Sequence, residues 1–217
     1  MHQNSRICEG VVICQASKPV SSVLPPQPYT PGLGQRIGLF GGSFNPAHEG
    51  HMHLATTALA RLELDWVWWI VARGNPLKSD HGDFAARLAS AKATVDHPRM
   101  RVLDIEARHE LTYSIDTIRG FQKRNQTTRF VWLMGGDNLA SFHKWKDWET
   151  IAARLPLAII ARPGAAPGNS TFETRFSGNQ LPEADAATLA DRPAPVWTYL
   201  TGKMNDASST AIRAAKD

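Results

Sequence analysis

Two clusters of residues in this chain have the types and spacing to handle phosphate. The first is Gly41-Gly42-Ser43-Phe44-Asn45-Pro46-Ala47-His48-Glu49-Gly50-His51. Glycines let backbone N–H groups come close to a ligand. A helix opening just after this loop aims its unpaired N–H groups at an anion. The imidazoles of His48 and His51 can donate hydrogen bonds and carry positive charge when protonated. The second cluster is Ser208-Ser209-Thr210-Ala211-Ile212-Arg213. Its hydroxyls, ahead of a helix, can cap that helix or hold a phosphate oxygen. Arg213, one turn in, can grip a triphosphate with a bidentate fork.

Each cluster also has a plainer reading. His48 and His51 serve equally well as helix caps, and His48, His51, His53 and Glu49 have the chemistry of metal ligands. Gly50 and the loop setting do not match a helical His-x-x-x-His pair, however. Taken alone, Ser208–Arg213 reads as a simple N-cap with a surface arginine. The first loop is neither a Walker A loop nor a Gly-x-Gly-x-x-Gly fingerprint. Two phosphate-type clusters bracketing one domain favour phosphate chemistry over both plain readings.

The elements that must position these clusters alternate in type. Residues 36–40 are a short apolar run ending at Gly41-Gly42, and 66–71 (Trp-Val-Trp-Trp-Ile-Val) is apolar on both faces. Strands of that double-sided kind belong inside a parallel sheet. Further strands are expected at 100–105, 129–134, 157–161 and 196–200. Helices are expected near 50–62, 84–95, 114–123, 148–153 and 210–215. The alternation predicts an α/β fold, a Rossmann-like open and mostly parallel sheet with helices on both faces. Ligands in such folds lie beyond the carboxyl ends of the strands. That places the site in the loops 41–50, 73–78, 135–138 and 205–213. Residues 163–195, rich in Pro, Gly and Ala, are expected to be a long surface excursion.

Residues 1–35, interrupted by Pro19, Pro25, Pro26, Pro28 and Pro31, read as a flexible N-terminal extension, leaving 36–217 as a single domain. The net charge of +4 and the pI near 9.3 suit an anionic ligand. The basic residues form no dense run, so no nucleic-acid partner is implied. Cys8 and Cys14 make no disulfide framework or zinc pattern. No apolar run has membrane-spanning length, so a cytoplasmic protein with no membrane partner is expected. A homo-oligomer is left open.

The two clusters together resemble the nucleotidyltransferase superfamily with the His-x-Gly-His signature, and within it the bacterial nicotinate-nucleotide adenylyltransferases. Further stretches match in order over 36–217: Asn75-Pro76-Leu77-Lys78, Leu111–Thr117, Gly135-Gly136-Asp137-Asn138, Trp145-x-x-Trp148-Glu149 and Ala161-Arg162-Pro163-Gly164. The chain departs from the pattern in its N-terminal tail and its short C-terminus. It also has Ser43 where Thr is usual and Asn45 where Asp is frequent. The resemblance implies direct in-line attack of nicotinate mononucleotide on the α-phosphorus of ATP, without a covalent intermediate. It implies that His48, His51 and Arg213 are catalytic. Gly41, Gly42, Ser43, Phe44, Ser208 and Ser209 join them in binding ATP. Lys78, Tyr113, Thr117, Gly136, Asp137 and Trp145 would bind the mononucleotide. Mg²⁺ would be carried by substrate phosphates and water, with no protein metal ligand.

One selectivity has a local reason in the residues. A helix opening at Tyr113-Ser114, with Ser114 as its cap, offers only N–H donors, which suit a carboxylate. An amide would leave donors unpaired. The helix start could equally do no more than cap itself; the resemblance to an acid-specific family is what implies a preference for the acid over the amide, with stacking on Trp145 favouring neither.

Overall fold

The computed structural model describes residues 31–74, 82–165, 167–168 and 170–214. Cys8, Cys14 and Lys78, and all of the extension before residue 31, lie outside the described residues. Six strands form one sheet: β1 (Arg36–Gly42), β2 (Trp66–Val71), β3 (Met100–Leu103), β4 (Arg129–Gly135), β5 (Leu157–Ile160) and β6 (Trp197–Leu200), in the order β3-β2-β1-β4-β5-β6. Every adjacent pair is parallel. The chain adds strands outward from β1 in one direction and then, from β4, in the other. The reversal leaves a crevice between the carboxyl ends of β1 and β4.

The apolar runs fill both faces of this sheet. Ile37, Leu39, Trp68, Ile70 and Trp132 belong to one buried cluster; Phe40, Val67, Trp69, Val131 and Leu133 belong to the other. Helix α1 (Glu49–Arg61) covers the second face with Leu54, Ala55, Ala58 and Leu59 at helical spacing. Helix α4 (Ser114–Arg124) covers the first with Ile115, Ile118 and Phe121. Each of these Leu, Ile and Phe side chains, fully buried, contributes about 1.5–3 kcal/mol relative to exposure. Helix α2 (Phe84–Thr94) starts on Asp83, whose carboxylate accepts from the Ala86 N–H at 2.8 Å.

Three expectations need correction. The strand expected over 100–105 stops at Leu103, and Ile105–Arg108 is a short helix, α3. Residues 135–138, expected as a loop, instead open helix α5 (Gly136–Phe142); Leu139 and Phe142 pull it onto the core. The segment 163–195 is not a surface excursion. It carries helix α7 (Thr171–Arg175) and two 3₁₀ segments, Ser177–Asn179 and Glu183–Asp191. It buries Phe172 and Phe176 on one face of the sheet and Ala186, Leu189 and Ala190 on the other. It is also tied to β6: the Leu181 N–H donates to the Trp197 carbonyl, and the Trp197 indole N–H to the Phe176 carbonyl. Helices α6 (Trp148–Arg154) and α8 (Ser209–Ala214) lie where expected.

Candidate active site

A cavity of about 320 Å³ opens at the carboxyl end of the sheet. The loops after β1 and β4 wall its centre, with residues after β2, β3 and β5 and the first turn of α8 around them. Its lining carries Lys144, Lys146, Arg162 and Arg213, against the carboxylates of Glu106 and Asp137. Such an excess of cations in a concave site favours polyanionic ligands.

His48 and His51 start helix α1 as a reciprocal cap. His48 is the N-cap, and its Nδ1 accepts from the Gly50 N–H at 3.1 Å. The His51 Nδ1 accepts from the His48 N–H at 3.3 Å. A neutral imidazole has one N–H, so a ring that accepts at Nδ1 carries its proton on Nε2. Both rings line the cavity, with their centroids 3.9 Å apart. Burial holds the His48 pKa below the ordinary histidine value, and the Arg162 guanidinium adds to the effect against opposition from Asp137. The His48 imidazole is thus suited to donate from Nε2 as a neutral group, and the positive charge allowed by the sequence is not favoured there. Capping uses only Nδ1 of the His48 ring, so it does not exclude a phosphate contact from the other nitrogen. Gly50 is required by the packing, because a Cβ there would lie 2.5 Å from Nη1 of Arg162 and 2.8 Å from the Ala207 carbonyl oxygen.

Phe44 also lines the cavity, but its ring is core: it is buried, stacked on Trp69 at 5.1 Å and edge-on to His51. Its φ of 49° lies in the left-handed region, a strained conformation for an aromatic residue. The ring's anchorage holds the loop in that shape beside Gly41, Gly42 and Ser43, which line the cavity with it.

The second cluster meets the first. The Ser209 hydroxyl donates to the Pro46 carbonyl at 2.9 Å, and the Arg213 guanidinium donates to the Asn45 carbonyl. Ser208 accepts from the Ala211 N–H at 3.2 Å, so it does cap α8. Ser208, Ser209 and Arg213 all line the cavity beside the histidines.

At the far end, Thr112, Tyr113 and Ser114 line the cavity at the start of α4. The N-cap is Tyr113, with no side-chain cap bond, and Ser114 is the first helical residue rather than the cap. Trp145 borders the same space, set edge-on against Phe142 and Trp132. The Lys146 ammonium sits 4.3 Å from the centre of the Tyr113 ring. Asp137 lines the cavity from the first turn of α5. Two expected contacts are placed differently. Thr117 is fully buried and donates to Glu106 at 3.0 Å, and Gly136 is buried behind Asp137; neither lines the cavity. Their positions at the starts of α4 and α5 make them supports of the residues that do.

Sequence reasoning missed Glu106, Lys144, Lys146 and Arg162 as lining residues. Arg162 stood in a stretch already singled out, and its guanidinium donates to the Ala207 carbonyl at 2.8 Å. Glu106 carried no local signal. His53, weighed as a metal ligand, places its Nε2 2.6 Å from the Lys203 carbonyl oxygen. Among the described residues no group of three or more His, Cys, Asp and Glu side chains could hold a metal ion.

Comparison with known proteins settles the family. The cytidylyltransferase-like family matches residues 39–215. A probable nicotinate-nucleotide adenylyltransferase of Methylorubrum extorquens is 47% identical over 184 residues, 82% of this chain and 98% of the relative. The chain belongs to the nicotinate-nucleotide adenylyltransferase family. A second member, from a Caulobacter species, is 49% identical over 82% of this chain and 96% of its own length. The nicotinic acid mononucleotide adenylyltransferase of Plasmodium falciparum, solved in complex with NaAD, has the same fold: its TM-score is 0.63 at 17% identity, over 83% of each chain. In this adenylyltransferase family member, the match from residue 39 to 215 takes in both the His48–His51 cap and the Ser208–Arg213 turn.

Proposed function

We propose that this chain transfers the adenylyl group of ATP to nicotinate mononucleotide, releasing pyrophosphate and forming nicotinate adenine dinucleotide, a step of NAD biosynthesis. The observation that carries the reading is the joining of the two clusters. The histidine cap and the Ser208–Arg213 turn, far apart in sequence, line one cavity, and a helix start flanked by Trp145 lines its other end.

The reaction is an in-line displacement. A phosphate oxygen of the mononucleotide attacks the α-phosphorus of ATP; the bond from that phosphorus to the pyrophosphate oxygen breaks, and its electron pair leaves with pyrophosphate. The acceptor phosphate is already ionised near pH 7, with a second pKa of about 6, so no general base is required. Rate then comes from positioning and from donors aimed at the developing charge. His48 and His51 supply Nε2–H donors to the ATP phosphates. Gly41, Gly42, Ser43 and the Phe44 backbone line the same half, and Ser208, Ser209 and Arg213 hold the departing β,γ end. Tyr113, Trp145 and Asp137 hold the mononucleotide, with Lys78 as a further phosphate contact. Mg²⁺ carried on the phosphates would neutralise their charge. The lining fits an ion held chiefly by phosphate and water, since among the described lining residues Asp137 is the only exposed carboxylate. The reading makes the protein a cytoplasmic enzyme. Among the described residues no helix is long and apolar enough to cross a membrane.

A coupled pyrophosphate assay with ATP, Mg²⁺ and a panel of acceptors tests this. Nicotinate mononucleotide should give the highest kcat/KM, roughly ten- to hundredfold above its amide. Equal values would remove the acid preference, and turnover with phosphopantetheine or an alcohol phosphate alone would remove the acceptor assignment.

A further inference from the structure

Beneath the acceptor end of the cavity lie two buried charged side chains, Arg87 on α2 and Glu106 on α3, only 3% and 4% exposed. Neither belongs to any motif of the sequence. They meet across one peptide unit of the chain. Glu106 Oε2 accepts from the backbone N–H of Arg73 at 3.3 Å. The carbonyl of the same residue accepts from Nη2 of Arg87 at 3.1 Å. Arg87 Nη1 reaches two further carbonyls, Ala72 at 2.7 Å and Ser43 at 2.8 Å. Glu106 Oε1 accepts from the Thr117 hydroxyl in the first turn of α4 at 3.0 Å.

These partners are all site segments. Ser43 is in the phosphate loop after β1, Ala72 and Arg73 follow β2, and Thr117 lies one turn beyond the Tyr113–Ser114 helix start. We propose that Arg87 and Glu106 are positioning residues: through Ala72, Arg73 and Thr117 they hold the backbone just after β2, at residues 72–73, and the start of α4 in the geometry that binds the acceptor. Arg87 extends the hold to the ATP loop through Ser43. The inference rests on the adenylyltransferase reading above. A carboxylate and a guanidinium in the interior must lose hydration, and residues serving packing alone would be replaced by apolar ones at little cost. Here each of these hydrogen bonds ends on a segment bordering the cavity, which ties the charges to the site.

The substitutions separate positioning from packing. Glu106→Ala leaves the Arg73 N–H and the Thr117 hydroxyl without their acceptor. It should raise KM for nicotinate mononucleotide about tenfold or more, while KM for ATP changes less than about threefold. Glu106→Gln should restore most of the acceptor KM: its carbonyl can take the Arg73 N–H and its NH₂ can donate to the Thr117 oxygen. Arg87→Met should raise KM for both substrates, because it frees Ser43 as well as Arg73. If Glu106→Ala does not fold, Thr117→Val carries the same test, with a KM rise of about threefold for the acceptor alone. A residue that only packs would lower thermal stability and the active fraction and leave both KM values in place. That result in folded variants overturns the inference. If the wild-type enzyme itself releases no pyrophosphate with any acceptor, the functional reading fails instead, so the two failures are distinct.

Discussion

The two ends of the cavity are built on opposite plans. At the phosphate end the functional groups belong to contiguous motifs: each histidine's Nδ1 accepts from its own helix start, and both rings line the cavity. At the acceptor end the surface is a helix start and an aromatic ring, and the buried charges tied to that helix start and to Arg73 come from separate elements. Chemistry at the first end should therefore fail when one side chain is removed. At the second, binding should be tuned by Arg87 and Glu106 through the backbone and Thr117 hydrogen bonds they make.

The sharpest way to break the contrast is His51→Ala. Loss of a donor aimed at the transition state should lower kcat by roughly 10²–10³-fold, with a smaller change in KM for ATP. Steady-state kinetics on folded protein checks it, and unchanged turnover would take His51 out of the chemistry.

The buried acid gives the next effect, on stability. Burial raises the Glu106 pKa from its ordinary 4.5 to about 7, against the Thr117 and Arg73 hydrogen bonds and the Arg87 charge, which pull it down. The native state thus binds this proton more tightly than the unfolded chain does. The associated stability is fully present below about pH 4.5 and is lost as pH rises through about 7. Its size is on the order of 3 kcal/mol. Glu106→Gln removes the titration, so denaturant melts at pH 5 and pH 8 should show the variant gaining on the wild type as pH rises. A parallel pH dependence in both proteins would show that Glu106 does not titrate this way.

A smaller effect is expected for Trp145→Ala. Ring stacking contributes about 0.5–1.5 kcal/mol, so kcat/KM should fall several-fold for nicotinate mononucleotide and for its amide alike. A change in their ratio would give Trp145 a part in selecting the acid. The smallest effect is expected on deleting residues 1–30, which precede the matched region: kcat and both KM values should stay within about twofold. A folded but inactive truncation would tie that segment to the site.

The same contrast decides what could be read in advance. The β1 and β2 runs, the caps at His48 and Asp83 and the Ser208–Arg213 turn are local patterns, and residues close in sequence suffice to announce them. Arg87 and Glu106 act through single hydrogen bonds to Ser43, Ala72, Arg73 and Thr117, partners 11 to 44 positions away. No periodicity records such a contact. Composition also misled over 163–195. Pro, Gly and Ala signal irregular backbone, but Phe172, Phe176 and Leu189 are enough to anchor that backbone on the sheet. At residues 135–138 the glycines suggested a loop, while the deciding signal was the Leu139–Phe142 spacing, one helical turn, which buries both residues.

Helix α8 has no buried residue, yet Ser209 and Arg213 are held to the first loop through the Pro46 and Asn45 carbonyls. The enzyme's durability is therefore of two kinds. A proteolytic nick in the exposed residues 201–204 would leave this turn held only by those hydrogen bonds and the Arg162 contact to the Ala207 carbonyl, and its loss would leave the sheet and its helices in place. Such a molecule would keep its circular dichroism and its melting temperature while losing its grip on the leaving group. Ageing of the enzyme would show first in turnover and only much later in any measure of foldedness.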